Sequence, residues 1–505
     1  MTPLTNPLAR RGAAGFLPAR SARQRRERFS RNPQHLASIV TTPSARISWP
    51  RLFAFALPGL PIGGLAVALS VYLPRYYASH IGLSLAAVGG AFGVVRLVDM
   101  CFDPFIGVAM DHTRTRLGRY RNWLLLAIPL LAIPVYMLFL APVGVPLIYL
   151  IAWLFIYYLG TSVVALSHAS WASVVASTYH DRSRVFGVIQ VVSTVAATSV
   201  LVVPTMLTKN SVAAVQDMGW LIVAATPLGI LAASFFTPER IVAEHSTEQV
   251  HLRDYVEMAL WPEMRRIVAA AFCLTLGPGW MSAMYLFYFH DSRGFSFQVS
   301  TLLLALYIVA GVFGAAGLSW LATRLGKHRT LMVASTGYSL GLMLLNFLPK
   351  GDLIPAAIIM FALGFLAAGF VLLGRAMCAD VGDAIRLAKG KHRQSVLYAM
   401  MTSVEKIASA LSITFTFTIL GFVGYQAKEG AHNTPAAIHN LELVYLLGPI
   451  TFVMLGGACY LGYKLDHKRH AEIREALDAR DAPFDAAAAL ESLGGDIASP
   501  AAAAE

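Results

Sequence analysis

Apolar runs long enough to cross a bilayer as helices, about 20 residues each, recur twelve times: 52–74, 85–110, 123–141, 147–175, 185–207, 219–236, 267–290, 298–321, 330–348, 354–379, 395–423 and 440–463. Backbone polar groups in lipid must be satisfied within the segment, so each run predicts a transmembrane helix and the whole an all-α membrane protein. Polar loops between them are short, except for 237–266, which carries charges and an amphipathic stretch from Val256 to Met264. The predicted organisation is a basic tail over 1–50, a six-helix bundle over 51–236, a linker over 237–266, a second six-helix bundle over 267–463 and a tail over 464–505. The last part turns alanine-rich and charged, and reads as a short surface helix fading into disorder.

A repeat ties the halves together. Thr115-Arg-Leu-Gly-Arg-Tyr-Arg121, between spans two and three, returns as Thr323-Arg-Leu-Gly-Lys-His-Arg329, between spans eight and nine. The same place in each set of six predicts two parallel bundles related about an axis along the membrane normal.

Composition agrees: 56% hydrophobic, 13% charged and a mean hydropathy of +0.60 exclude a soluble globular chain. Of the 40 Lys and Arg, 32 fall in the tails and alternate loops on one side and five on the other (Arg75, Lys209, Arg293, Lys350, Lys428). The positive-inside rule then places both termini in the cytoplasm of a plasma (inner) membrane protein. The net charge of +12 is therefore a topology signal, and no nucleic-acid partner is expected. Residues 1–46 hold nine arginines and one acid, Glu27, without the apolar stretch of a signal peptide. A disordered cytoplasmic tail is expected, and near anionic headgroups each basic residue contributes about 1 kcal/mol. Cys101, Cys273, Cys378 and Cys459 lie within spans and form no Cys-x-x-Cys pair, so neither a disulfide framework nor a zinc site is predicted. No cofactor is expected, and the chain reads as a monomer in contact with lipid.

Three basic residues remain inside spans: Arg96, Arg375 and Lys406. Arg96, Asp99 and Asp103 share one face of span two at spacings of three and four. A charge at mid-membrane costs about 2.5–3.5 kcal/mol on insertion scales, so such groups face a partner or a wet cavity. A structural Arg96–Asp99 pair leaves Asp103 unexplained; an ion-coupling site accounts for both acids. Pro104 removes a helical donor and should bend the helix, freeing the Met100 carbonyl beside two carboxylates. Such a cage suits Na⁺, and a buried carboxylate alone suits H⁺. Lys406 lies too deep to snorkel, and Asp99 and Asp103 are its natural partners across the halves.

Gly107, Asp111, Arg116, Gly118 and Arg119 form the mouth loop of the first half, matched in the second by Ala379-Asp-Val-Gly-Asp383 with Asp380 and Asp383. Their expected role is a cytoplasmic gate, its arginines pairing across the pseudo-dyad with acids or helix C-termini when the inner face is shut. Candidates for a solute cavity are Tyr157, Ser167, His168, Trp171, Gln190 and Trp280; His168 reads as a solute ligand, a proton relay or a core group, and the indoles suit sugar stacking.

Arg96-x-x-Asp99-x-x-x-Asp103-Pro-x-x-Gly107, Asp111-x-Thr-x-x-Arg116-x-Gly-Arg119, and Ala379-Asp-Val-x-Asp383 with Lys406 resemble the glycoside–pentoside–hexuronide:cation symporters, the melibiose-carrier branch of the major facilitator superfamily. The resemblance covers about 50–463. It implies that Asp99 and Asp103 hold the coupling cation with Arg96 as neighbour, that Lys406 stands between cation and sugar, and that Trp171 lines the sugar site. Gly63 stands where sugar carriers have an acid, Ser167 where they have an aspartate, and Val192, near Gln190, where they have an arginine. The expected function is H⁺- or Na⁺-coupled transport of a small organic solute, a sugar or glycoside. Alternatives are transport of an amphiphile such as a lysolipid, as in animal relatives, and a membrane-embedded enzyme or a non-transporting sensor, for which no catalytic motif is found.

Overall fold

The computed structural model describes residues 48–113, 115, 118–175, 179–208, 210–237, 239, 252–390, 394–428 and 430–492. Among them, twelve helices are long and apolar enough to cross a membrane. They are α1 (Trp49–Ile81), α2 (Leu85–Met110), α3 (Tyr120–Phe139), α4 (Leu147–Ala172), α5 (Arg184–Leu207), α6 (Ser211–Phe236), α7 (Pro262–Ser292), α8 (Phe297–Leu325), α9 (Lys327–Phe347), α10 (Leu353–Lys389), α11 (Val396–Phe422) and α12 (Pro435–Ala458). A further helix, α13 (His467–Ser492), follows. The protein is an all-α membrane protein of two six-helix bundles, the major facilitator superfamily fold.

Helix ends depart from the apolar runs because hydropathy reads the lipid-facing slab, whereas caps and turns decide where a helix stops. Asn210 caps α6 through the N–H groups of Val212 and Ala213, so that helix starts eight residues before the apolar run. Thr434 with Pro435 behind it starts α12 early. The longest helix, α10, carries Asp380 and Asp383 beyond the slab and stops at Gly390, whose φ of +69° lets its N–H reach the Arg386 carbonyl. The expected amphipathic segment from Val256 to Met264 is shifted: a short helix spans Leu252–Ala259, and Pro262 opens α7 after the break, taking in Met264.

Close helix crossings fix the halves internally and against each other. A Cβ on Gly63 of α1 would stand 2.0 Å from the Ser193 carbonyl oxygen of α5, so any larger residue here forces the two helices apart. Between the bundles, α2 lies along α11, with Thr414 Oγ1 donating to the Gly89 carbonyl at 2.9 Å. On the face opposite the basic loops, α1 and α7 both end in π-helical turns and meet. There Arg75 donates to the Leu286 carbonyl at 2.9 Å and to Asp291 at 3.0 Å, and Tyr72 Oη donates to Thr301 at 2.9 Å. Gln298 of α8 reaches the Thr205 carbonyl of α5 at 3.2 Å, so that face is sealed between the bundles.

Candidate functional site

Helical spacing brings Arg96, Asp99 and Asp103 to one face of α2, and the crossing with α11 sets Lys406 against them. Arg96 Nη1 donates to Asp99 Oδ2 at 3.1 Å, and its guanidinium lies 4.6 Å from the Tyr158 ring centroid. Asp99 is 1% exposed, and its Oδ1 accepts from Ser162 Oγ of α4 at 3.3 Å. Lys406 Nζ donates to Asp103 Oδ2 and stands 3.9 Å from Asp99 Oδ2 and 3.5 Å from Ser162 Oγ. Asp103 Oδ1 is buried and finds no hydrogen-bond partner. Pro104 lies inside the helix, so the Met100 carbonyl has no N–H four residues on. Two acids and two bases thus share a small, partly dry volume, and each group's charge is tolerable only while its partner holds.

A cavity of about 300 Å³ adjoins this cluster, within the range of about 300–1,000 Å³ usual for small-molecule sites. Arg96, Tyr157, Tyr158, Ser162, Lys406 and Ser409 line it, with aliphatic side chains of α1, α3, α4 and α11.

Five of the six expected cavity residues stand outside that lining, and only Tyr157 is part of it. Ser167 is fully buried and donates to the Val163 carbonyl of its own helix at 2.6 Å. His168 donates through Nε2 to the Phe55 carbonyl at 2.8 Å and packs on the Phe55 ring, which makes it a core group. Trp171 is also fully buried, edge-on to Phe55, with Arg121 over its face. Trp280 donates to the Val444 carbonyl at 3.1 Å and fills the space left by Gly448, joining α7 to α12. Gln190 is exposed, contacts Thr194 at 3.4 Å and is likewise not part of the lining.

At the basic face the acids are paired within the second half. Asp380 takes Lys327 at 2.7 Å, and Asp383 takes His470 at 3.2 Å and Arg474 at 3.5 Å, both from α13. In this arrangement, among the described residues, Asp380 and Asp383 are held by contacts within the second half and its C-terminal helix. Arg119 Nε donates to the Met110 carbonyl at 3.0 Å, and Gly118, at φ +118°, turns the chain so that the N–H groups of Arg119, Tyr120 and Arg121 converge on Glu239. Gly107 has open space where a Cβ would lie. Arg116 lies outside the described residues, as does the side chain of Asp111.

Sequence reasoning missed Ser162, the hydroxyl between Asp99 and Lys406, because serine is common in membrane helices. It also passed over the clasp of Arg75 and Asp291, whose signal is a basic residue on the side otherwise poor in them. A further ion pair, Arg375 Nη2 to Glu405 Oε2 at 2.8 Å, joins α10 to α11.

The family described as MFS/sugar transport protein matches residues 54–467. An isoprimeverose transporter of Lactiplantibacillus pentosus is 26% identical over 457 residues, 85% of this chain and 92% of its own. The sodium-dependent lysophosphatidylcholine symporter 1 of Mus musculus is 22% identical over 474 residues, 84% and 87%. The crystal structure of the nucleoside transporter NupG shares the fold, with a TM-score of 0.62 at 14% identity over 83% of this chain and 100% of that one. The family match runs from the first turns of α1 to the start of α13 and takes in all twelve membrane helices, so the chain belongs to the MFS/sugar transport family, a glycoside–pentoside–hexuronide symporter-like branch of the major facilitator superfamily, and is a membrane transporter rather than an enzyme.

Proposed function

We propose that the protein is a secondary active transporter that couples movement of a small organic solute, a sugar or glycoside, to H⁺ or Na⁺ by alternating access. The observation that carries the coupling is the buried, unpartnered Asp103 Oδ1 beside a lysine that arrives from the other bundle. A bare buried acceptor costs about 1–3 kcal/mol. Protonation removes that cost, and so does Na⁺ bridging Asp99 and Asp103 with Ser162 Oγ and the Met100 carbonyl as further oxygens. Either event weakens the hold of Lys406 on Asp103. Because the two residues belong to different bundles, occupancy changes the attraction between bundles, which is the differential interaction that coupling requires.

The sugar reading draws support from the cavity beside Lys406 and from the isoprimeverose transporter among the relatives. The distribution of basic residues supports cytoplasmic termini; with that orientation the face sealed by Arg75 and Asp291 is the outer one and the arrangement is inward-facing. The protein works as a monomer in contact with membrane lipids.

A second reading, transport of a lysolipid, draws on the lysophosphatidylcholine symporter among the relatives and on the aliphatic wall of Ile62, Leu65, Leu69, Leu131 and Ile413. Proteoliposomes with an imposed Na⁺ or pH gradient, offered isoprimeverose or lysophosphatidylcholine, separate the readings. Gradient-driven accumulation of the sugar is the expected result; uptake indifferent to both gradients overturns the coupling.

A further inference from the structure

We infer that Arg375 of α10 and Glu405 of α11 form the polar subsite for the solute, and that it receives a vicinal diol of a neutral sugar. This deepens the sugar-transport reading and rests on it. Ser409 and Ile413 line the cavity beside the charge cluster, and Glu405 continues their stripe one turn further toward the basic face, about 6 Å along the helix. Its partner Arg375 has a side chain 51% exposed, against 17% for Glu405. Neither side chain is in the cavity lining itself, but charged groups within membrane helices face a bundle interior or a water-filled space rather than lipid. That puts the pair at the approach to the cavity, on the side that the clasp of Arg75 and Asp291 leaves open.

Architecture does not account for it. Two charges inside membrane helices cost about 2.5–3.5 kcal/mol each on insertion. An ion pair this exposed returns about 0–1 kcal/mol. The pair lies wholly within the second bundle, so, unlike Lys406 with Asp103, it does not tie the bundles together. A group that is costly to insert, half in water and not needed for packing is placed for a ligand.

The donor set selects the ligand. Arg375 gives Nη2 to Glu405 Oε2, and among the described residues Nη1, Nε and Glu405 Oε1 are left for a guest. Of two adjacent hydroxyls, one donates to Oε1 and the other accepts from the guanidinium, without breaking the pair. An anionic solute would have to displace Glu405 from Arg375, and a cationic one Arg375 from Glu405; each leaves a charge stranded. Tyr398, seven residues before Glu405 on the same stripe and 37% exposed, offers a ring for the apolar face of a sugar.

The test is thermal stabilisation of the purified protein by isoprimeverose, xylose, methyl glucuronide and lysophosphatidylcholine, each at saturating Na⁺ and at low pH. The expected result is stabilisation by a neutral sugar that Arg375→Gln and Glu405→Gln each weaken at least tenfold in apparent affinity. The stabilising response to Na⁺ or protons, which belongs to Asp99 and Asp103, stays at the wild-type level and reports that the variants are folded. Arg375→Lys and Glu405→Asp recover part of the loss and replace either glutamine variant that fails to fold. Sugar affinity unchanged in the variants overturns the subsite and leaves the sugar reading standing. A preference for methyl glucuronide that grows in Glu405→Gln overturns the neutral diol. A wild-type protein that binds no neutral sugar, whether or not it binds lysophosphatidylcholine, overturns the sugar reading and the subsite together.

Discussion

Lys406 of α11 donates to Asp103 and stands 3.9 Å from Asp99 Oδ2, so one ammonium of the second bundle answers both acids of the first. On the proposed coupling, proton or Na⁺ occupancy would compete with that ammonium, and the variant Asp103→Asn would remove the carboxylate that Lys406 holds. With only the Asp99 carboxylate left, the substituted protein should still exchange solute across the membrane but no longer accumulate it. Uptake in proteoliposomes should fall from a gradient-dependent plateau to simple equilibration, while counterflow stays within a few-fold of wild type. Accumulation undiminished by Asp103→Asn would remove Asp103 from the coupling site.

The outer clasp sets a conformational preference. Asp291 accepts from Arg75 at 3.0 Å, from His290 Nδ1 at 2.6 Å and from Tyr425 Oη. Burial, reinforced by Asp291 itself, pushes the Tyr425 phenol well above its ordinary range, so it remains a donor across physiological pH. Hydrogen bonds to charged groups are worth about 1.5–3 kcal/mol; with Arg75 and Asp291 side chains 17% and 23% exposed, solvent screening discounts that figure. Arg75→Ala should therefore favour the outward-open form by about five- to tenfold. Maleimide labelling of a single cysteine placed at Thr301, behind the clasp, should quicken by that factor, and an unchanged rate would mean that the clasp is not a gate.

The sequence makes the spans legible because a membrane tolerates few substitutes for an apolar run, and the charge cluster legible because helical spacing alone puts Arg96, Asp99 and Asp103 together. Lys406 could be matched to them because a deep lysine needs a counter-charge. The cavity wall was not legible. Periodicity says that His168, Trp171 and Trp280 lie on a face of their helices, but not which neighbouring helix covers that face. The covering elements are the segment around Phe55 for the first two and α12 for the third. Helix ends escaped for a related reason: Gly390, Asn210 and Thr434 act through backbone geometry outside the apolar slab.

Gly63, where the family resemblance implies an acid in sugar carriers, has no room for a side chain. Its Cβ would stand 2.0 Å from the Ser193 carbonyl oxygen, a backbone atom that cannot swing aside. Overpacking of this kind costs about 1–3 kcal/mol where the neighbours can shift, and a helix crossing leaves less room to do so. Gly63→Ala should lower the melting temperature in detergent by several degrees, and Gly63→Asp should fail to yield a monodisperse protein. A stable, active Gly63→Asp variant would show that α1 and α5 separate readily and that an acid is admissible there.

His168 offers the sharpest division between a core role and a transport role. Its Nε2 donates to the Phe55 carbonyl at 2.8 Å, its ring packs on the Phe55 side chain and it lies outside the cavity lining. His168→Phe keeps the ring contact and removes the donor, stranding a buried carbonyl at a cost of about 1–3 kcal/mol. The expected outcome is a lower melting temperature and a smaller folded yield, with solute uptake per folded molecule and its pH dependence unchanged. His168→Gln, which can restore a donor to Phe55, should regain part of the stability. Should uptake per folded molecule collapse in both variants, with the pH profile displaced, the histidine would have to be returned to the proton path, and α4 would contribute more to coupling than Ser162 alone.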